Sequence, residues 1–192
     1  VLNSLDLTLD DVRVAGVPVA SVDFDVEAER VTLSLAEHLV QGASKIEMFF
    51  AGVLNDRLVG FYRSTFASDP EDPSAIESIA VTQFESTHAR SAFPCFDEPA
   101  LKARFEVSLI VDSDLFAVSN GAQISRVDLG DGTARGEFAE TMVMSTYLVA
   151  FVVGRLTATE PRMVAGANGP IPLRVIHRPG SEHLCDFALE VA

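Results

Sequence analysis

The stretch Phe105-Glu106-Val107-Ser108-Leu109-Ile110-Val111-Asp112 decides the fold class. It sets Phe105, Val107, Leu109 and Val111 against Glu106, Ser108 and Asp112. Side chains alternate across a strand, so this pattern gives one apolar face and one wetted face, as in antiparallel sheets. The alternation recurs upstream. Leu5, Leu7 and Leu9 alternate with Asp6, Thr8 and Asp10; Val22, Phe24 and Val26 with Asp23 and Asp25; Val31, Leu33 and Leu35 with Thr32 and Ser34. Downstream, Tyr147-Leu148-Val149-Ala150-Phe151-Val152-Val153 is apolar on both faces and reads as a central strand. Turn signals at Ala15-Gly16, Ser119-Asn120-Gly121 and Gly130-Asp131-Gly132 separate the runs. Many strands joined by such turns predict an all-β fold, an antiparallel β-sandwich.

With 192 residues, the chain is long enough for one large domain and needs neither disulfide nor metal to fold. At 48% hydrophobic and 22% charged it is not a disordered tail. No apolar run reaches the length of a membrane-spanning helix. The 14 basic residues against 28 acidic ones leave a net charge of -14. That excludes nucleic acid and an anionic membrane surface as natural partners, and suits a cationic ligand. Cys95 and Cys185 are too few for a disulfide scaffold and read as two separate buried thiols. Two short helices are predicted. One runs from Ser86 to Phe93, capped by Ser86 and ended by Pro94. The other lies within 181–192 and carries Leu184, Ala188 and Val191 on one stripe. Ser68–Ser74 reads as an acidic, proline-containing surface loop. A start at Val1 and an end at Ala192, inside a helical pattern, lead us to expect a piece of a longer protein. Residues 1–180 would form the sandwich, and 181–192 would begin a helix leading onward.

The chemistry-bearing residues are few. His38, His88, His177 and His183 form no His-Glu-x-x-His arrangement, and His183 and Cys185 point to different sides of a helix. No metal site is therefore expected in this chain. There is no Gly-x-Ser-x-Gly elbow. Cys95, between Pro94 and Phe96, reads as an inert buried thiol. Asp97-Glu98-Pro99 reads as a helix cap before a short helical turn at Ala100–Ala103 rather than as an acid–base pair. The predicted strand from Ile76 to Glu85 is more informative. Strict alternation puts Ile79, Val81, Gln83 and Glu85 on one face, so an apolar row ends in an amide and a carboxylate. An inward carboxylate needs a partner. Arg90 could supply it, or a cationic ligand at the rim of a cleft; alternation alone favours the internal partner.

The run Thr82-Gln83-Phe84-Glu85-Ser86-Thr87-His88-Ala89-Arg90-Ser91-Ala92-Phe93-Pro94-Cys95-Phe96-Asp97-Glu98-Pro99-Ala100-Leu101-Lys102-Ala103 resembles the N-terminal domain of the aminopeptidase N family of zinc metallopeptidases. Gly60-Phe61-Tyr62-Arg63-Ser64 precedes it, and Val118-Ser119-Asn120 and Met144–Phe151 follow in the family's order. The resemblance implies a saddle-like sandwich packed against a thermolysin-like catalytic domain of the same polypeptide. It implies that Glu85 binds the free α-amine of a peptide substrate and that Gln83 lines the first side-chain pocket. This reverses the preference for an internal partner of Glu85. The family's His-Glu-x-x-His zinc site and Gly-x-Met-Glu-Asn loop are absent here and are expected beyond Ala192, as its opening strands are before Val1. The implied cofactor, zinc, would be held by the full-length enzyme and not by this chain, which would be inactive alone. The alternative reading is a non-catalytic scaffold of the same fold.

Overall fold

Alternating side chains produce antiparallel ladders through the computed structural model, which describes residues 1–68, 72, 74–167 and 169–191. The sheet that positions the site has four strands, in the order Phe116–Ser119, Phe151–Gly154, Ile76–Gln83, Gly60–Ala67. Its register sets Val81 between Tyr62 and Val152, and Gln83 opposite Gly60. A second sheet joins Gln123–Asp128, Thr133–Phe138 and Ser108–Asp112. The N-terminal part forms two more, Leu2–Asn3 with Arg30–Ser34 and Ser21–Asp25, and Val17–Pro18 with Leu7–Val14 and Ile46–Gly52. The all-β, antiparallel architecture is the one that alternation predicts.

The core beneath the four-stranded sheet is aromatic. Phe84, Ala89, Met144 and Val149 are buried, with Phe61, Phe93, Phe105, Tyr147 and Phe151 packed around them. Phe84 meets Phe93 and Phe151 edge-on at ring separations of 6.0 and 6.1 Å, and Phe61 meets Phe151 at 4.9 Å. Such edge-to-face pairs add about 0.5–1.5 kcal/mol each beyond the area they bury.

Four local expectations need correction. Residues 86–93 form turns and one 3-10 turn, Ala89–Ser91, with no side-chain cap from Ser86. The segment is tied down at both ends, His88 N–H donating to Phe84 O and Phe93 N–H to Ala89 O, and has no length left for a regular helix. Ala100–Ala103 is not helical either. Ala103 exchanges backbone hydrogen bonds of 3.0 and 2.9 Å with Met144, which draws the chain into an extended bridge after a single Glu98–Leu101 turn. The apolar run 147–153 is a strand only over Phe151–Gly154; Thr146–Leu148 is a 3-10 turn. The reason is Asn120, whose amide donates to Leu148 O and accepts from Ala150 N–H, both at 2.8 Å, and so takes the place of a strand neighbour. The C-terminal helix spans Cys185–Val191 and buries Cys185, while Leu184 and Val191 face outward. The stripe is therefore set by Cys185, with Ala188 and Leu189 half-buried behind it. Of the Ser68–Ser74 loop, residues 69–71 and 73 lie outside the described residues, as does Ala192 of the C-terminal segment. Both cysteines are free thiols, Cys185 buried and Cys95 half-buried.

Candidate functional site

The strand Ile76–Gln83 ends where its partner begins, at the Gln83–Gly60 pair. The next residue, Phe84, turns inward and is 2% exposed. Glu85 then emerges at the surface, and the Glu85–Ser86 peptide bond is cis. Gln83 and Glu85 are both exposed, one on each side of the buried Phe84, and neither side chain hydrogen-bonds to the described residues. Ile79, Val81 and Gln83 share one parity, but the strand stops at Gln83, so the alternation expected to reach Glu85 does not extend to it, and the row does not run into the core. Ile79 and Val81 are half-buried, and the fully buried ring belongs to Phe84 on the opposite parity. The inward direction expected for the carboxylate is thus corrected: within this chain Glu85 faces solvent.

Arg90 is not its partner. The Arg90 guanidinium donates from Nε to Asp97 Oδ2 at 3.0 Å and from Nη1 to Glu29 Oε2 at 3.0 Å, and its Nη2 reaches Asp97 O at 3.2 Å. The Arg90 backbone N–H also donates to Asp97 Oδ2. Thr146 Oγ1 donates to the other carboxylate oxygen, Oδ1, at 2.7 Å, and the Asp97 N–H donates to Asn3 Oδ1. Asp97, expected to cap a helix, is instead a buried acceptor, 1% exposed. Burial works against the Arg90 charge, but hydrogen bonding and attraction from Asp97, then Glu29, outweigh it and move its pKa upward. Burial, reinforced by the Asp97 charge, pushes the neighbouring Cys95 thiol up to about 12, against the opposing pull of Arg90. Cys95 therefore stays protonated and unreactive, as its apolar neighbours predict.

The turn carrying Glu85 also leans on the sheet at Gly60. This residue has a φ of +77°, and a Cβ there would overlap the Ser91 hydroxyl. Glycine is thus required twice, by the left-handed backbone and by the close approach of the turn. Among the described residues no three His, Cys, Asp or Glu side chains come together as a metal site. The donor set here does not fit zinc, and no chemical step is assigned to a metal held by this chain. Among the described residues no helix is long and apolar enough to cross a membrane.

Sequence reasoning extended the strand and its alternation to Glu85, whereas the strand stops at Gln83, and it missed the Arg90–Asp97–Glu29 cluster. The one local signal was Arg90 and Asp97 flanking the mostly apolar Ser91–Phe96, while Glu29 lies 61 residues from Arg90 and gives none.

The chain was compared with known proteins. The Peptidase M1 N-terminal domain family matches residues 1–148. Aminopeptidase 2 of Candida albicans is 37% identical over 192 residues, covering 100% of this chain and 20% of that protein. Aminopeptidase M1 of Arabidopsis thaliana is 38% identical over 199 residues, covering 100% of this chain and 22% of its own length. Alanine/arginine aminopeptidase of Saccharomyces cerevisiae is 36% identical over 194 residues, again covering 100% and 22%. The chain spans about a fifth of the length of these curated relatives.

Proposed function

The chain belongs to the peptidase M1 family as an N-terminal domain, and from that premise we propose that it anchors the substrate of a zinc-dependent aminopeptidase. Glu85 binds the free α-amine and Gln83 lines the first side-chain pocket. The rest of the polypeptide supplies the zinc site and the cover that closes the pocket. Residues 1–180 are the anchoring domain, and 181–192 begin the helix that leads to the catalytic part.

One observation carries this reading. Glu85 is an exposed carboxylate with no partner among the described residues, yet its backbone follows directly on Phe84, a buried core ring packed edge-on against Phe93 and Phe151. A carboxylate left unpaired on a backbone that the core anchors is available to a ligand. The discrimination it offers is by charge. A free α-amine has a pKa of about 7.7–8.0 and is largely cationic at neutral pH, whereas an internal amide nitrogen is neutral. Once a covering surface excludes water, the attraction strengthens because the local dielectric falls. Glu85 then orients the chain end and does not itself cleave. Gln83, exposed at the end of the strand two residues earlier, offers an amide donor and acceptor to the first side chain.

In the full-length enzyme, Glu85→Ala is expected to lower kcat/KM for peptides with a free N-terminus by roughly 30-fold or more, since losing one partner of a desolvated charge pair costs about 2–5 kcal/mol. Zinc content, measured by metal analysis, is expected to be unchanged. Near-normal kcat/KM in that variant would remove Glu85 from the role.

A further inference from the structure

The segment that presents Glu85 has two anchors of different kinds. On its N-terminal side the anchor is apolar: Phe84 packs between Phe93 and Phe151. On its C-terminal side the anchor is ionic and reaches far in sequence. Arg90 is held by Asp97 and Glu29, its carbonyl accepts the Leu5 N–H at 2.9 Å, and Asp97 is itself held by Thr146 and Asn3. Between the anchors lie only residues 85–89, with Ala89 fully buried. An exposed carboxylate on so short a span inherits its position from the two ends.

We propose that the Arg90–Asp97 pair is a positioning pair for substrate binding, fixing the turn that aims Glu85 at the charged end of a peptide. This rests on the reading of Glu85 as the amine-binding group. The cluster has the properties such a role requires. Asp97 uses both carboxylate oxygens, one on Arg90 and one on Thr146, so its orientation is determined. Arg90 presents its planar fork to two carboxylates at once, which a lysine cannot do. The cluster makes no direct contact with Glu85, so any effect on the ligand passes through the backbone of 85–90.

The test uses the full-length enzyme and two matched inhibitors, a peptide analogue bearing the α-amine and its des-amino counterpart. Arg90→Lys and Asp97→Asn are each expected to weaken the amine-bearing inhibitor on the order of tenfold or more, as displacements of about 1 Å can do, while leaving the des-amino inhibitor within about twofold. KM is expected to rise more than kcat falls. Glu85→Gln is run beside them. If Glu85→Gln shows the selective loss and the Arg90 and Asp97 variants do not, the positioning role is overturned and the Glu85 reading stands. If Glu85→Gln shows no selective loss, the Glu85 reading fails and takes the positioning role with it. Equal weakening of both inhibitors by Asp97→Asn marks a merely structural role and overturns the proposal. Should Asp97→Asn fail to fold, Thr146→Val decides, since it removes only the 2.7 Å hydrogen bond to Asp97 Oδ1. A selective loss of about threefold there supports the role, and its absence overturns it.

Discussion

Asp97 sits in the interior with its side chain fully buried, against an Arg90 side chain that is 11% exposed. Breaking such a pair by removing one partner leaves an uncompensated charge in the interior and costs about 3–5 kcal/mol. Asp97→Ala is therefore expected to destabilise the fold by that order in a urea titration. Glu140→Ala, which breaks an ion pair with Arg104 in which the Arg104 and Glu140 side chains are 58% and 45% exposed, is expected to cost at most about 1 kcal/mol. Equal costs for the two would mean that Asp97 is not the buried acceptor described. The neighbouring Cys95 gives a pH dependence of definite sign. Its folded pKa, about 12, lies above the ordinary value of 9.0, so the folded state holds the thiol proton more tightly than the unfolded state does. That contribution is fully present below pH 9 and is lost as pH rises from 9 to about 12. Stability measured by denaturant is expected to fall over that window more steeply in the native protein than in Cys95→Ala. Parallel curves for the two would refute the burial assigned to the thiol.

At the scale of elements, the contact between the strand Gly60–Ala67 and the 3-10 turn Ala89–Ser91 is the tightest that the site depends on. Gly60→Ala introduces two penalties, a positive φ carried by an L-residue and an overlap with the Ser91 hydroxyl. Together these are expected to cost about 1–3 kcal/mol. Ser91→Gly in the Gly60→Ala background removes the overlap and leaves the backbone penalty, so a double-mutant cycle is expected to show coupling of roughly 0.5–3 kcal/mol. Simple additivity would deny the contact. The strands around this junction were legible in the sequence because alternation is a local property. Ser21–Asp25, Arg30–Ser34 and Ser108–Asp112 fall on alternating runs, as does Leu7–Val14 up to Asp10, beyond which the register shifts. The elements that sequence misjudged are those decided by partners far along the chain. Asn120 interrupts the apolar run 147–153, Met144 straightens Ala103, and Arg90 with Thr146 converts Asp97 from a cap into a buried acceptor. Parity told which residues of Ile76–Gln83 share a face, but not that the chain turns away after Gln83. It could not tell that the core lies on the opposite parity, because Phe84 is one apolar residue among many in that stretch.

For the whole molecule, the division of labour follows from what this chain contains and what it does not. It carries an unpaired surface carboxylate, a net charge of -14 suited to cationic ligands, and no grouping of metal ligands among the described residues. These relatives are about five times as long, this chain covering 20–22% of each. These features suit the anchoring role proposed above for this chain. The purified chain is expected to hold no stoichiometric zinc after exposure to the metal and exhaustive dialysis, because a stable zinc site needs three or four protein ligands in tetrahedral array. It is expected to release no reporter from aminoacyl substrates at any zinc concentration. Affinity for a free α-amine is also expected to be weak in isolation, since an exposed carboxylate in water gains only about 0–1 kcal/mol from a cation. Restoring the remaining polypeptide should raise that affinity by excluding water, and Glu85→Gln should abolish the gain. Stoichiometric zinc in the chain alone, with hydrolysis that a chelator stops, would place the catalytic machinery inside these 192 residues and overturn the division argued here.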